Sequence, residues 1–430
     1  MHSCCCTAGS DLADAASLAS LRRAIPRCRV RAQVLQKLVN ALGDNAVGTY
    51  GVVIPVLSYA LDMNNKDSLT LVEDALQLWL SCLRQGRNCA CATHARAGPR
   101  LAPVPRRAPP LPPRRNALSP TWPLLDLFPR LEPICASTTE HVRAVTQVAQ
   151  SCMLLGRSDF FARHGASLNA VISSLVGAVN ERGMMLLIPT LDLALKLYQA
   201  DATNVLLQPL SRLLGSVLAG REETTVVAAS FDVFARIVLQ GPHAADAFFA
   251  QAADRLRADL GGDLAGQAGP SGREVMDAFL EQWLESFDAI SRKRSRKLAA
   301  LALATLCGNP GPEVLRRLDV LVAHVTGVLA GTEGAGAEGD AVQLGYEVDR
   351  RGSGAEFAQG YAGEEAQGEF QRRQWVYEND LATTASLSQH LRAQLTQGLQ
   401  GPAGAELTQA LGRLDPNIAA VVQRVMARPS

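Results

Sequence analysis

The chain has 430 residues, of which 47% are hydrophobic and only 5% aromatic, and its 42 lysines and arginines balance 41 aspartates and glutamates. A single hydrophobic core usually stops growing at about 250–300 residues, so this length predicts several domains or an extended repeat array. The balanced charge argues against a dedicated nucleic-acid-binding protein, which normally carries a basic face. Leucine and alanine dominate the apolar residues, and this composition favours helices over strands.

The apolar stretches and the cysteines indicate where such a protein would work. Every apolar stretch is shorter than the roughly 18 residues of a membrane span, so we expect no membrane insertion. Residues 1–6 lack the basic and apolar regions of a secretory signal. The 10 cysteines are scattered without a C-x-x-C pair, which is typical of reduced thiols in a cytosolic or nuclear protein. Cys82, Cys152 and Cys307 lie within apolar helical patterns and are expected to be buried.

Amphipathic helices recur along the chain. The first clear one follows Asp67, a candidate N-cap, and carries apolar residues at three- and four-residue steps from 69 to 83. A second follows residues 137–140, whose letters STTE match a capping box, and its apolar face runs from 142 to 152. A third begins near Glu222, and Gly241 and Pro242 are predicted to end it.

The predicted helices come in pairs. The pairs are 49–62 with 68–85, 120–136 with 138–156, 158–180 with 183–200, 203–219 with 222–240, 243–260 with 273–290, and 293–307 with 312–330. Each pair takes about 40 residues, the period of HEAT-type repeats. The sequence therefore predicts an all-α fold, a right-handed α-solenoid of the HEAT/ARM type built from antiparallel helix pairs.

Two segments interrupt this rhythm and define the expected domain organisation. Residues 88–119 are rich in proline and arginine, and residues 331–374 are rich in glycine and glutamate, so both are predicted to be disordered. Residues 1–29 form a poorly defined N-terminal segment, residues 30–87 and 120–330 carry HEAT-like helices, and residues 375–430 are predicted to form a helical cap. The insert at 88–119 could also contact acidic surfaces or RNA, but it lacks the aromatic residues that stack on bases.

Short motifs give no support for catalysis, a cofactor or a metal. Gly334, Gly336 and Gly339 match the letters of a dinucleotide fingerprint, but no predicted strand precedes them, and adjacent glutamates would repel phosphate. Cys89, Cys91 and His94 lack the further ligands of a zinc site. The histidines do not fall in a recognisable nucleophile motif. We therefore expect no enzyme activity and predict no catalytic, cofactor-binding or metal-ligating residues.

A basic run at residues 292–297, RKRSRK, has two interpretations. It could be a nuclear localisation signal or a site for an anionic partner. Alternatively, because basic residues at a helix N-terminus oppose the helix dipole, the run could pair with acidic residues inside the stack. Glu281 and Glu285 on the preceding helix are the candidate partners for that pairing.

Several segments, in order and at matching spacing, carry a family resemblance. They are LVEDALQLWL at 71–80, ARIVLQ at 235–240, QWLESFDAI at 282–290, RKLAALAL at 296–303, and the tail from 384 to 425. Together they extend over about 30–85 and 118–427, and they resemble the C-terminal part of importin-11-like nuclear transport receptors in the karyopherin-β superfamily. The insert at 88–119 has no counterpart in that family.

The resemblance implies a receptor fragment that binds protein cargo for nucleocytoplasmic transport in a Ran-dependent cycle. It implies nucleoporins and Ran-GTP as partners and shuttling between cytoplasm and nucleus, although the repeats that carry the main Ran contacts in the family have no counterpart here. Neither membrane insertion nor specific nucleic-acid binding is implied. The alternative is a HEAT-repeat scaffold or regulatory subunit for other complexes, without a transport role.

Overall fold

A computed structural model describes residues 25–65, 68–86, 121–259, 270–333 and 367–427, and the regular secondary structure within these ranges is helical. The predicted insert at 88–119, the glycine motif at 334–339, and Cys89, Cys91 and His94 lie outside the described residues. So do the predicted N-cap Asp67 and most of the predicted loop at 331–374.

The helices follow the predicted order closely. They are α1 (Ile25–Leu42), α2 (Tyr50–Ala60), α3 (Ser68–Gln85), α4 (Trp122–Leu125), α5 (Leu131–Ser137), α6 (Val142–Leu175), α7 (Glu181–Tyr198), α8 (Ala200–Val205), α9 (Leu207–Leu218), α10 (Thr224–Val238), α11 (Pro242–Asp259), α12 (Gly272–Glu285), α13 (Lys293–Leu306), α14 (Pro312–Arg316), α15 (Leu318–Glu333), α16 (Gln367–Glu378), α17 (Leu381–Thr384), α18 (Leu387–Gln400), α19 (Gly404–Leu411) and α20 (Pro416–Ala427). Short 3-10 helices at Gly43–Thr49, Phe128–Arg130 and Phe287–Ala289 connect some of them.

The helices stack in two rows. A continuous row consists of α3, the first part of α6, α7, α10, α13 and α18, each packed against the next. Hydrogen bonds join equivalent positions of neighbouring helices, such as Gln150 Nε2 to Thr190 Oγ1 (3.0 Å) and Arg236 Nε to Asp192 Oδ1 (2.9 Å). The later part of α6, α9, α11 and α12 form a second row beside it. This arrangement confirms the predicted α-solenoid.

The same turn recurs where the chain leaves the continuous row. Arg157, Gln199 and Gly241 follow one another at equal intervals, and their φ angles are 46°, 49° and 119°. Glycine adopts such angles freely, whereas arginine and glutamine do so only where the surrounding packing imposes them. The predicted boundary between 156 and 158 is confirmed at Arg157, although arginine is not a residue that marks such a turn.

Two details of the predicted elements are wrong. Residues 137–140 do not form a capping box, because α6 begins at Val142 after His141, whose side chain makes no capping bond. The capping box that does form joins Ser271 and Glu274 at the start of α12. Residues 367–374, assigned to the loop, lie in α16.

The predicted pair of 243–260 with 273–290 is confirmed as α11 packed against α12, but this pair does not place one helix in each row. Helix α10 packs directly against α13, and α11 and α12 lie together in the second row. The reason is a cluster of large side chains that hold α12 beside α10 and α11 rather than within the continuous row. The cluster consists of Phe231, Phe234, Phe248, Phe249, Phe279 and Trp283, all at most 2% exposed.

Helix α18, at the start of the C-terminal helices, approaches α13 closely. Gly398 in α18 faces the backbone carbonyl of Cys307 at the end of α13, and an added Cβ would overlap that carbonyl. We expect Gly398→Ala to separate α18 from α13 and to lower the free energy of unfolding by about 1–3 kcal/mol, as overpacking does. Gly412→Ala is the control, because its Cβ would meet only atoms at 3.4 Å or more. Equal chemical-denaturation midpoints for both variants would contradict this packing.

Candidate binding surface

The described residues offer surfaces rather than a chemical centre. No helix among them is long and apolar enough to cross a membrane. No group of three or more His, Cys, Asp or Glu residues within the described ranges could hold a metal ion. Cys82, Cys152 and Cys307 are buried, as predicted, and burial raises the pKa of the Cys82 and Cys307 thiols to about 12.

A strap crosses the continuous row, and we define it as residues 367–386. Its helix α16 packs against α3 and α6, and its helix α17 packs against α13. The strap therefore spans several repeats before the chain enters α18. Its anchoring side chains are Glu369 and Arg372 of α16 and Asp380, the N-cap of α17.

Arg372 anchors the strap to the end of α3. Its guanidinium donates to the carbonyl oxygens of Gly86 (2.5 Å), Leu83 (3.0 Å) and Arg84 (3.2 Å), and the residue is only 2% exposed. The last carbonyls of a helix have no partner within the helix and carry its negative dipole end. Arg372 supplies both the donors and the positive charge that this helix end requires.

Glu369 adds a second anchor between α3 and α6. Its carboxylate accepts from Ser151 Oγ of α6 (2.9 Å) and pairs with Arg373 Nη2 (2.6 Å) and Arg84 Nε of α3 (3.5 Å). Burial by itself raises the pKa of Glu369, but Arg373, Arg84 and Arg372 together hold this pKa below its usual value. Glu369 is therefore ionised in the folded protein.

Asp380 is the third and deepest anchor, with a side chain only 1% exposed. Arg236 of α10 grips its two oxygens, with Nη2 at 2.7 Å from Oδ2, and Arg294 of α13 donates to Oδ2 as well. Lys196 of α7 lies 3.6 Å away. Burial raises the pKa of Asp380, but the three cations outweigh burial and hold it well below its ordinary value.

Asp192 balances the excess of positive charge around Asp380. It pairs with Lys196 Nζ at 2.5 Å and with Arg236 Nε at 2.9 Å. Two carboxylates therefore share three cations, and the cluster connects α7, α10, α13 and the strap. A planar guanidinium that grips both oxygens of one carboxylate is a stronger and more directional contact than a lysine point charge.

Asp232 on α10 borders this cluster without a cation of its own. Its Oδ2 accepts from Ser295 Oγ (2.7 Å), and its Oδ1 is buried without a hydrogen-bond partner. Burial, and then the Asp192 carboxylate, raise the pKa of Asp232 to about 6 against the attraction of Lys196 and Arg236. The folded state therefore binds this proton more tightly than the unfolded chain does.

We expect Asp232→Asn to be as stable as the wild type near pH 4 and more stable at pH 7. Relative to Asp232→Asn, the wild-type free energy of unfolding should fall by about 2–3 kcal/mol as pH rises through this window, because folded Asp232 must give up a tightly held proton. Urea unfolding from pH 4 to pH 7 measures the difference. Asp254→Asn, an exposed carboxylate beside Arg257, is the control. A constant offset between Asp232→Asn and the wild type would contradict this prediction.

The strap carries two exposed apolar side chains, and we call its solvent-facing part the outer side. Trp375 is 42% exposed with its indole under the Arg157 guanidinium at 4.2 Å, and Leu381 is 50% exposed. Tyr377 lies under Arg294 at 4.9 Å. Because the anchors hold the strap firmly, these side chains stand on a preorganised platform, and tryptophan is enriched at the centres of protein interfaces.

Some residues of the basic run at 292–297 pair within the stack, and others are exposed. Arg294 pairs with Asp380, and Arg296 donates to the carbonyls of Ile290 and Asp288, so part of the run is used within the stack. Arg292 and Lys293 are exposed. The acidic partner of Arg294 is Asp380 of the strap, which is remote in sequence, and the predicted partner Glu281 pairs with Arg317 instead. The pairing predicted for Glu285 stays a prediction.

A second apolar surface lies at the first two helices. Val34, Leu38 and Leu42 follow one another at four-residue steps on α1 and are 57%, 43% and 37% exposed, and Val52 on α2 is 61% exposed. Helix α20, at the other end of the described chain, exposes polar and small residues instead. The two ends therefore differ in chemistry.

Sequence reasoning named no site residues, and the strap anchors explain why. Glu369, Arg372 and Asp380 look like ordinary surface charges, because their partners on other helices lie between 86 and 289 positions away. The one available signal was the conflict between the basic run and the dipole of α13. That signal correctly indicated an acidic neighbour but did not identify Asp380.

Comparisons with known proteins agree with the stack. A family profile described as importin-11-like TPR repeats matches residues 32–97 and 111–427. Importin-11 of Mus musculus and of Homo sapiens are each 20% identical over 280 residues, which is 65% of this chain and 24% of theirs. The chain therefore spans about a quarter of the length of these relatives.

A solved structure shares the fold. Lph2, described as a bidirectional nuclear transport receptor in S. cerevisiae, superposes with a TM-score of 0.70 at 17% sequence identity, over 94% of this chain and 39% of that one. At this identity the likeness concerns the fold alone. The profile match, which extends over most of the described helices, decides the family: the chain belongs to the importin-11-like family.

Proposed function

We propose that this chain binds protein cargo as part of a nuclear transport receptor that works in a Ran-dependent cycle between cytoplasm and nucleus. Family membership is the observation that carries this proposal. The stacked helices support it, because a solenoid offers a long surface over which binding is spread across many side chains. Such a receptor works by binding, and we propose that the chain has no enzyme activity.

Within this function, the outer side of the strap is the proposed cargo contact in this part of the stack. Trp375 and Leu381 offer apolar area on a rigid support, and the exposed Arg292 and Lys293 stand at the start of α13, the helix that α17 packs against. Nucleoporins and Ran-GTP are proposed as the further partners.

Passage through the nuclear pore is the direct test. The chain is fused to maltose-binding protein, so that passive diffusion is slow, and added to permeabilised cells without other receptors. We expect faster nuclear entry than for a size-matched maltose-binding protein dimer. We also expect retention of the fusion on immobilised nucleoporin FG repeats.

Binding of Ran is measured in parallel with GTP-loaded Ran and with GDP-loaded Ran as the control. A preference for the GTP form would support participation in the cycle by this part of the receptor. Nuclear entry no faster than that of the control, together with no binding to FG repeats or to Ran, would contradict the transport proposal. This result would favour the alternative, a helical scaffold for other complexes.

A further inference from the structure

Three successive helices of the continuous row build one carboxylate-binding site. Lys196 comes from α7, Arg236 from α10 and Arg294 from α13, and all three reach the same carboxylate of Asp380. Each cation is at most 17% exposed. Since the three helices belong to different repeats, this contact fixes the distances between repeats as well as the position of the strap.

The strap meets the helices in the order in which they stack. Arg372 holds the end of α3, Glu369 joins α3 to α6, Trp375 contacts Arg157 of α6, and Asp380 joins α7, α10 and α13. One segment of chain therefore ties five successive helices of the row. Adjacent repeats in a solenoid otherwise contact only their neighbours, and small rotations at each interface add up to a change in curvature.

We propose that the strap is a clamp that sets the curvature of the stack from α3 to α13, with Asp380 as its lock. Separating α10 from α13 would part Asp380 from either Arg236 or Arg294 and leave a buried charge without one of its partners, which is strongly unfavourable. The clamp makes this part of the stack move as one unit, so bending is confined to the helices outside it. An acidic group that competes for Lys196, Arg236 and Arg294 is the chemistry that would open the clamp.

Hydrogen exchange and small-angle X-ray scattering on the full chain test the clamp. Asp380→Asn keeps the shape of the side chain but removes the charge. We expect amides of residues 367–386, and of α10 and α13 where they meet, to exchange roughly tenfold faster or more. We also expect a larger radius of gyration. Glu378→Gln is the matched control, because Glu378 is an exposed carboxylate of the same strap that accepts a hydrogen bond from Gln374 Nε2 (2.8 Å).

Peptides from the aromatic cluster on α12 serve as the internal reference and should keep their protection, which separates opening of the clamp from general unfolding. Unchanged exchange in the strap, or faster exchange at 380 with an unchanged radius of gyration, would overturn the proposal.

A second variant covers the case in which Asp380→Asn fails to fold. Arg294→Gln removes only the cation that α13 supplies to Asp380, and Arg236 and Lys196 still pair with this carboxylate. Faster exchange where α13 meets the strap, without change where α16 meets α3, supports the clamp. Amide exchange that is faster at both contacts, or unchanged at both, argues against the clamp. The proposal does not depend on transport, so it can succeed if the chain proves to be a scaffold.

Discussion

Phe279→Ala should lower the free energy of unfolding by about 3–5 kcal/mol, among the largest effects of any single truncation in this chain. Phe279 is fully buried, and its ring lies between 5.0 and 6.0 Å from the rings of Phe231, Phe234, Phe249 and Trp283. Loss of the ring leaves a cavity among rigid neighbours that cannot collapse into it. It also removes edge-to-face contacts worth about 0.5–1.5 kcal/mol each beyond burial.

Chemical denaturation monitored by circular dichroism measures this loss, and hydrogen exchange locates it at the junction of α10, α11 and α12. Phe279→Leu should cost less, because leucine fills part of the cavity. Val320→Ala is the control for truncation at an exposed helix position, since Val320 is 44% exposed. A loss below about 1 kcal/mol for Phe279→Ala would show that the cluster does not hold α12 in place.

Arg372→Met should release the strap from α3 and lower stability by about 3–5 kcal/mol. Methionine keeps much of the volume of arginine, so the effect reports the lost donors and charge. The carbonyls of Leu83, Arg84 and Gly86 would be left buried without their donor, and each such group costs about 1–3 kcal/mol. Glu369 would also lose one of the cations that keep it ionised.

Two variants separate the parts of this effect. Arg372→Lys retains the charge but not the planar fork, so we expect an intermediate loss and only partial protection of the strap amides. Gln371→Met is the matched control, because its exposed side chain lies in the same turn of α16. Thermal unfolding gives the loss of stability, and hydrogen exchange of residues 367–386 gives the release. Equal exchange in the Arg372→Met and Gln371→Met variants would contradict an anchoring role.

The sequence by itself determined the class of this protein and the rhythm of its helices. Apolar periodicity placed helices such as 68–85 and 222–240 close to their observed limits, because the side chains that face the core recur at the helical period wherever the helix is stacked. The same pattern fixed Cys82, Cys152 and Cys307 as buried. The matched segments between 71 and 425 indicated the family to which the chain belongs.

Only the tertiary structure decided how the rows are built and what crosses them. The phenylalanines of α10 and α11 and the aromatic residues of α12 all lie on apolar faces, and nothing local says that they meet and move α12 out of the continuous row. Asp380 and Arg372 belong to a polar segment whose charges find their partners far away in sequence. Burial and pairing of charges are properties of a three-dimensional neighbourhood, so the strap and its lock could be seen only once the stack was assembled.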